Sequence, residues 1–395
     1  MKNTSLSSKT VMYVGTYADE VNPGGIFSFS IDNGGQNAQS IGHNEIPKEA
    51  GYLAFDARTN TLYSVDERKN DGRGDRLPKA SVYALSADSS TGALTLINHL
   101  LAPTPFPTFL DIDSQGKRLV TSNHGGFDHV EKAVLVDGQW ISQYVYDDSA
   151  AIVYRLNEDG SLKDLSDLVL LEGHGQDPNG SMQAGGHAQS GPHAHCSVLS
   201  PDKKFLLVCD KGTDRVYVYK FGDKLELVDW YQFPEETAPR HLAFHGATRV
   251  YLTLELSSEI ASMEFDSSTG QLTLLDQEST LLPEYLYPNE PADIRVHPNG
   301  RFVYLNNRGE DTLVWFAVSE NGKLERKGSE TLAKSIHPGL AARSFTFTED
   351  GHYIYLADRP ANAVKIYSVD EMNGSVKLIN IVEVPQPAYV QLVNF

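Results

Sequence analysis

"HCSVLSPDKKFLLVCDKGTDRVYVY", residues 195–219, holds three short apolar runs separated by a Pro-Asp-Lys-Lys turn and a polar corner. Alternation with a period of two, and β-branched and aromatic residues within the runs, read as consecutive antiparallel strands. One such unit cannot bury both of its faces, so the rest of the chain decides the fold.

The chain repeats it. "RHLAFHGATRVYLTLELSSEIASMEF" from Arg240, "ADIRVHPNGRFVYLNNRGEDTLVWF" from Ala292 and "RSFTFTEDGHYIYLADRPANAVKIY" from Arg343 fit the same template. "GYLAFDARTNTLYSVDER" from Gly51 and "TFLDIDSQGKRLVTSNHGG" from Thr108 are looser copies. The wide interval between Thr108 and His195 marks insertions at about 127–149 and 172–192. The first, "FDHVEKAVLVDGQWISQYVYDDS", is expected to add a hairpin over one face. The second is rich in glycine and reads as a loop.

A seventh copy is divided between the chain ends. "AYVQLVNF" (388–395) supplies its first strand, while "MYVGTY" (12–17) and "GIFSFSI" (25–31) supply the second and third. A ring whose last strand completes its first sheet has no free edge. The expected fold is therefore all-β, a seven-bladed β-propeller of four-stranded antiparallel blades, closed by the C-terminal strand joining the N-terminal blade. Residues 1–395 form one domain.

Composition narrows the function. With 33 basic against 52 acidic residues the net charge is −19, a surface that repels nucleic acid and anionic membrane. No apolar run approaches a membrane span, and the N-terminus lacks the apolar core of a secretory signal, so cytoplasm is the expected compartment. A closed ring needs no partner for stability, and a monomer is expected. Cys196 and Cys209, the two cysteines, should face each other across one hairpin as buried free thiols.

In a propeller hairpin the start of the first strand and the end of the second lie at the same end. Counting each repeat from zero, position 15 gives Asp66, Asn123, Asp210, Glu255, Asn307 and Asp358. Position 0 gives Gly51, Thr108, His195, Arg240, Ala292 and Arg343, with Arg308 one step past position 15. Loop chemistry alone would favour Gly, Asn and Ser. Three arginines and a histidine converging on one axis are instead the local positive field that an acidic protein needs to hold an anion. Structural readings stand beside this one: a hydrogen bond from His195 to a turn, an inter-blade pair of Arg343 with Asp358, and a turn network at Asp214 and Arg215.

These residues resemble the lactonase family of seven-bladed propellers, which includes 6-phosphogluconolactonase and the fungal-type carboxy-cis,cis-muconate lactonizing enzyme. The similarity lies in "YVGTY" (13–17), "GIFSFSID" (25–32), "NHGG" (123–126), "GPHAH" (191–195), "DKGTDRVYVY" (210–219), "PRHLAFH" (239–245) and "NNRGEDTLVWF" (306–316). The resemblance implies a histidine, a glutamate and two arginines at the channel mouth: His193 or His195, Glu255, Arg240 and Arg308. Arg343, Asn123, His124, Asp210 and Asn307 are added as candidate substrate contacts.

Lactone hydrolysis needs a base to activate water, donors to hold the developing oxyanion, and a grip on the substrate. Glu255 or a histidine is the candidate base, and a carboxylate between arginines, held ionised, favours the histidine. Arg240 and Arg308 are assigned to the anion, Arg343 to an auxiliary phosphate contact. The expected substrate is a small anionic lactone, 6-phosphogluconolactone or a relative. A muconate-type cycloisomerase and a non-catalytic binding propeller are the alternatives. His174, His187, His193 and His195 are close in sequence, but a glycine-rich loop offers no rigid ligand spacing, so no metal and no cofactor are expected.

Overall fold

The structure is a computed structural model that describes residues 9–69, 80–175, 188–336 and 339–395. Its first sheet pairs β1 (Thr10–Thr16), β2 (Gly25–Asp32) and β3 (Asn37–Asn44) in sequence. The fourth member, on the other side of β1, is the last strand of the chain, β30 (Pro387–Asn394). Met12 and Val14 of β1 and Val390 of β30 pack with Tyr355, Ala357, Val364 and Ile366 of the neighbouring blade, so the closing seam is itself a hydrophobic core.

Six further four-stranded antiparallel sheets complete the ring. They run from β4 (Leu53–Asp56) to β7 (Leu94–Leu101), from β14 (Ala194–Leu199) to β17 (Glu226–Gln232), and from β18 (Pro239–His245) to β21 (Leu272–Ser279). Two more run from β22 (Glu290–Val296) to β25 (Leu324–Thr331) and from β26 (Ser344–Phe347) to β29 (Val376–Glu383). The remaining sheet joins β8 (Pro107–Asp113), β9 (Arg118–Asn123), β12 (Ala150–Leu156) and β13 (Leu162–Leu170). Between β9 and β12 a separate hairpin, β10 (His129–Val136) and β11 (Gln139–Tyr146), carries exposed Val130, Leu135, Trp140 and Tyr144. That is the hairpin expected of the first insertion; of the second, residues 176–187 lie outside the described residues.

A repeated tyrosine joins blade to blade. Tyr13, Tyr63 and Tyr304 are fully buried, and their hydroxyls donate to the carbonyls of Gly92 (3.0 Å), Gly160 (2.6 Å) and Gly374 (2.5 Å). Each acceptor is the positive-φ glycine of a turn leading to an outer strand, with φ of 80°, 85° and 78°. A phenol buried between two sheets needs an acceptor, and an unpaired turn carbonyl supplies it. Asp214 has the structural role considered for it: its carboxylate accepts from Gln189 Nε2 and from the N–H groups of Glu236, Thr237 and Ala238. Cys196 and Cys209 are paired across β14 and β15 (Phe205–Asp210), buried and free.

Candidate active site

The ladders place the residues at the mouth of the ring more finely than counting does. In β14–β15 and β8–β9 the last paired residues are Asp210 and Asn123. In β22 and β23 (Phe302–Arg308) Asn307 pairs with Pro291. In β18 and β19 (Arg249–Leu254), however, that place belongs to Leu254. The β18–β19 turn is one residue shorter: His245 pairs with Arg249, where β8–β9 pairs Asp113 with Arg118. Glu255 is therefore the structural equivalent of Lys211, His124 and Arg308, which come directly after Asp210, Asn123 and Asn307; of these Arg308 still pairs, with Glu290. Glu67 likewise comes directly after Asp66, the last residue of its strand.

This corrects the assignment of Asn123, Asp210 and Asn307 as substrate contacts. All three are fully buried behind the cavity and tie loops together. Asn123 donates to Thr104 O (2.7 Å), and Asp210 accepts from the N–H groups of His193 (2.7 Å) and Gly212 (2.9 Å). Asn307 exchanges hydrogen bonds with Thr280. Asp358 pairs with Lys365 (2.6 Å) rather than with Arg343. The residues after Asp66, Asn123, Asp210, Leu254 and Asn307 do reach the axis: Glu67, His124, Lys211, Glu255 and Arg308 line one cavity of about 1420 Å³ together with His195, Arg240 and Arg343.

The floor of the cavity is an ion cluster. Glu255, 1 % exposed, receives Lys211 Nζ on one carboxylate oxygen. On the other it receives Arg240 Nε at 2.7 Å and Arg308 Nη2 at 2.8 Å. Burial pushes the Glu255 carboxyl up, but Lys211, Arg308 and Arg240 outweigh it and hold the group well below the usual carboxylate range. Burial, with Arg308 adding repulsion, pulls Arg240 down to about 10. Arg240 Nε is close to Glu255 but out of line with its own N–H, so the contact is an ion pair and not an aligned hydrogen bond. Its Nη1 is buried with no acceptor among the described residues. Left without an acceptor, that donor is an unmet hydrogen-bonding demand buried in the wall of the cavity.

Arg308 also meets the Glu290 carboxylate (3.0 Å), and burial raises the Glu290 carboxyl despite that arginine. Arg343 reaches Glu67 Oε1 at 3.3 Å and lies over the Tyr17 ring, whose hydroxyl donates to Glu67 Oε2 at 2.5 Å. Gly51 makes room for that carboxylate: a Cβ there would stand 2.1 Å from Glu67 Oε2.

The two histidines of "GPHAH" part company. His193 is buried outside the cavity lining, stacked on the His124 ring at 4.4 Å with Nδ1 on His124 O (3.0 Å). That removes it from contact with substrate. His195 lines the cavity. Its Nδ1 meets His241 Nε2 at 3.1 Å, and its Nε2 bonds no protein group among the described residues. Burial, with Arg240, His241 and Lys211 adding repulsion, holds its pKa well below that of a free histidine, so it is neutral at pH 7. His124 lines the wall, its Nδ1 on Gly125 O (2.7 Å). Of the other histidines weighed as metal ligands, His174 bonds Gly175 O and His187 lies outside the described residues.

Fold and cavity together define a closed propeller with a pocket lined by His195 and floored by Lys211, Arg240 and Arg308 at one mouth of its axis. Residues 11–392 match the family model described as "Lactonase, 7-bladed beta-propeller", and the chain belongs to that family. A Bacillus subtilis (strain 168) protein named 6-phosphogluconolactonase is 27% identical over 98% of this chain and 99% of its own. A Lactobacillus plantarum protein of solved structure is 27% identical, with a TM-score of 0.80 over 98% of this chain and 99% of that one. The periplasmic gluconolactonase of Pseudomonas aeruginosa, 23% identical over 98% of this chain and 99% of its own with a TM-score of 0.78, shares the fold.

Proposed function

We propose that the protein hydrolyses a sugar lactone at this cavity, with His195 as general base and Arg240 as the principal oxyanion donor. The observation that carries the reading is one cavity lined by both a neutral imidazole, His195, and a buried guanidinium, Arg240, whose Nη1 has no acceptor among the described residues. Water attacks the lactone carbonyl carbon as His195 Nε2 takes its proton. Arg240 holds the negative oxygen of the tetrahedral intermediate. The intermediate collapses by breaking the ring C–O bond, and the imidazolium returns its proton to the departing ring oxygen, leaving an open hydroxy acid. Glu255 is unsuited as base, because three cations already claim its lone pairs.

The substrate proposed is an anionic lactone, with 6-phosphogluconolactone the first to be assayed. Exposed Asp128, Glu235 and Glu236 repel an anion at the rim, whereas Lys211, Arg240 and Arg308 attract one at the buried floor. A phosphate or carboxylate substituent is therefore accommodated at the floor. A pH-stat assay comparing 6-phosphogluconolactone with unphosphorylated aldonolactones tests this: faster turnover of the phosphorylated substrate is expected, and acid release from none of them sinks the reading. In the same assay Arg240→Ala is expected to lower kcat about 10²–10³-fold, the usual cost of losing one oxyanion donor. An unchanged kcat would remove Arg240 from the chemistry.

A further inference from the structure

Behind His195, on the side away from the cavity, is a chain of buried groups that the proposed hydrolysis has not yet used. His195, His241 and Asp293 sit on β14, β18 and β22, strands of three successive blades. His195 Nδ1 is 3.1 Å from His241 Nε2, and His241 Nδ1 is 3.0 Å from Asp293 Oδ1. All three are buried, and the His241 ring is set edge-on to both Tyr52 and Phe109. Asp293 is fixed in turn by Arg295, whose Nη2 lies 3.2 Å from Oδ2 and 2.8 Å from the Tyr389 hydroxyl, and by the Ile294 N–H on Oδ1.

We propose that Asp293 and His241 are positioning residues that fix the tautomer of His195, putting its ring proton on Nδ1 and its lone pair on Nε2, facing the cavity. The argument is one of donor and acceptor parity. An ionised carboxylate only accepts, so His241 Nδ1 carries a proton. A neutral His241 then has a bare Nε2, which only accepts, so His195 Nδ1 carries a proton as well. A neutral His195 is left with its lone pair on Nε2, the nitrogen that bonds no protein group among the described residues. Both conditions on charge agree with the surroundings. Burial and Arg240 hold His241 neutral, its pKa pulled down to about 4 despite Asp293. Burial pushes Asp293 up, but Arg295 and the His241 hydrogen bond outweigh it and keep it ionised. When His195 takes a proton from water, the aligned chain places the Asp293 charge behind the new imidazolium, offsetting the repulsion from Arg240 and Lys211.

The inference rests on His195 as base, but its readout does not. Three donors, Arg295 Nε and Nη2 and the Phe345 N–H, face Oδ2 against the Ile294 N–H on Oδ1, so in Asp293→Asn the amide oxygen stays on the Arg295 side and the NH2 turns to His241 Nδ1, giving up the Ile294 bond. Every proton in the chain then reverses, and His195 carries its proton on Nε2. Long-range 1H–15N correlation spectra should show His195 protonated at Nδ1 in the native protein and at Nε2 in Asp293→Asn. The kcat should fall on the order of 10²-fold or more, with KM within about twofold, since a base in the wrong tautomer has no lone pair to offer. A native His195 protonated at Nε2, or a reversed tautomer with unchanged kcat, would overturn the proposal. His241→Phe keeps a ring in place and removes the acceptor. It should abolish the single-tautomer signature and lower kcat, and full activity in it counts equally against the proposal. Should His195→Ala turn over at the native rate, the catalytic reading falls while the tautomer assignment is still decided by the spectra.

Discussion

Replacing His195 by alanine is expected to lower kcat for lactone hydrolysis about 10²–10⁴-fold, the range for a positioned general base, with KM little changed. The split follows from the geometry. His195 meets the cavity through one nitrogen, while the cationic floor that grips an anion is built by Lys211, Arg240 and Arg308. Losing the imidazole therefore removes the route for the proton and leaves the grip. An imidazole-sized base added in solution should restore part of the rate, because the truncated side chain opens space on the cavity wall. Steady-state kinetics by pH-stat check both statements. A variant whose KM rises while kcat holds would make His195 a binding residue.

Glu255→Gln is expected to destabilise the fold by about 3–5 kcal/mol, the cost of removing one partner from a buried ionic cluster. The carboxylate is the common counter-ion of Lys211, Arg240 and Arg308, all of them buried. An amide of the same shape leaves three cations facing one another and turns an NH2 toward donors. Urea unfolding at pH 7 measures the loss, and added phosphate should recover part of it by taking the place of the carboxylate. The pH dependence has a definite sign. Because the folded-state pKa of Glu255 is held down, its contribution is complete above the unfolded value of about 4.3 and fades only as pH falls toward the folded value. Native protein should thus keep this contribution through mild acid, and the variant should lack it at every pH. Equal urea midpoints for the two proteins would show that water, not Glu255, balances the arginines.

The ring was legible in the sequence because its signals are local and repeated. Turn chemistry, period-two strands and a strand divided between the chain ends leave little freedom for another arrangement. The site was legible only in part. A fixed count through each repeat joined Glu255 to Asn123, Asp210 and Asn307, although a β18–β19 turn one residue shorter puts Glu255 in register with Lys211 instead. Lys211 was passed over for that reason alone, and aligning the ends of the apolar runs, where "LTL" meets Glu255 and "VCD" meets Lys211, would have found it.

His241 and Asp293 escaped for a different cause. The ladders shift register between Pro239 and Leu242 and between Pro291 and Ile294, so two consecutive residues go unpaired at each place. Strict alternation cannot anticipate a bulge, which re-aims side chains next to functional sites. The signal available was two adjacent polar residues, Arg240-His241, opening an otherwise apolar inner strand. His193, named only through the motif "GPHAH", lies before the register shift between Ala194 and Cys196 and packs against His124.

The central claim, that lactone chemistry takes place where His195 and Arg240 share a wall, is tested most directly by a crystal structure with an aldonate product bound. The product carboxylate should lie within about 3 Å of the Arg240 guanidinium, with one of its oxygens in hydrogen-bonding reach of His195 Nε2. An aldonate seated on the exposed β10–β11 hairpin or at the acidic rim, with the cavity floor untouched, would contradict it.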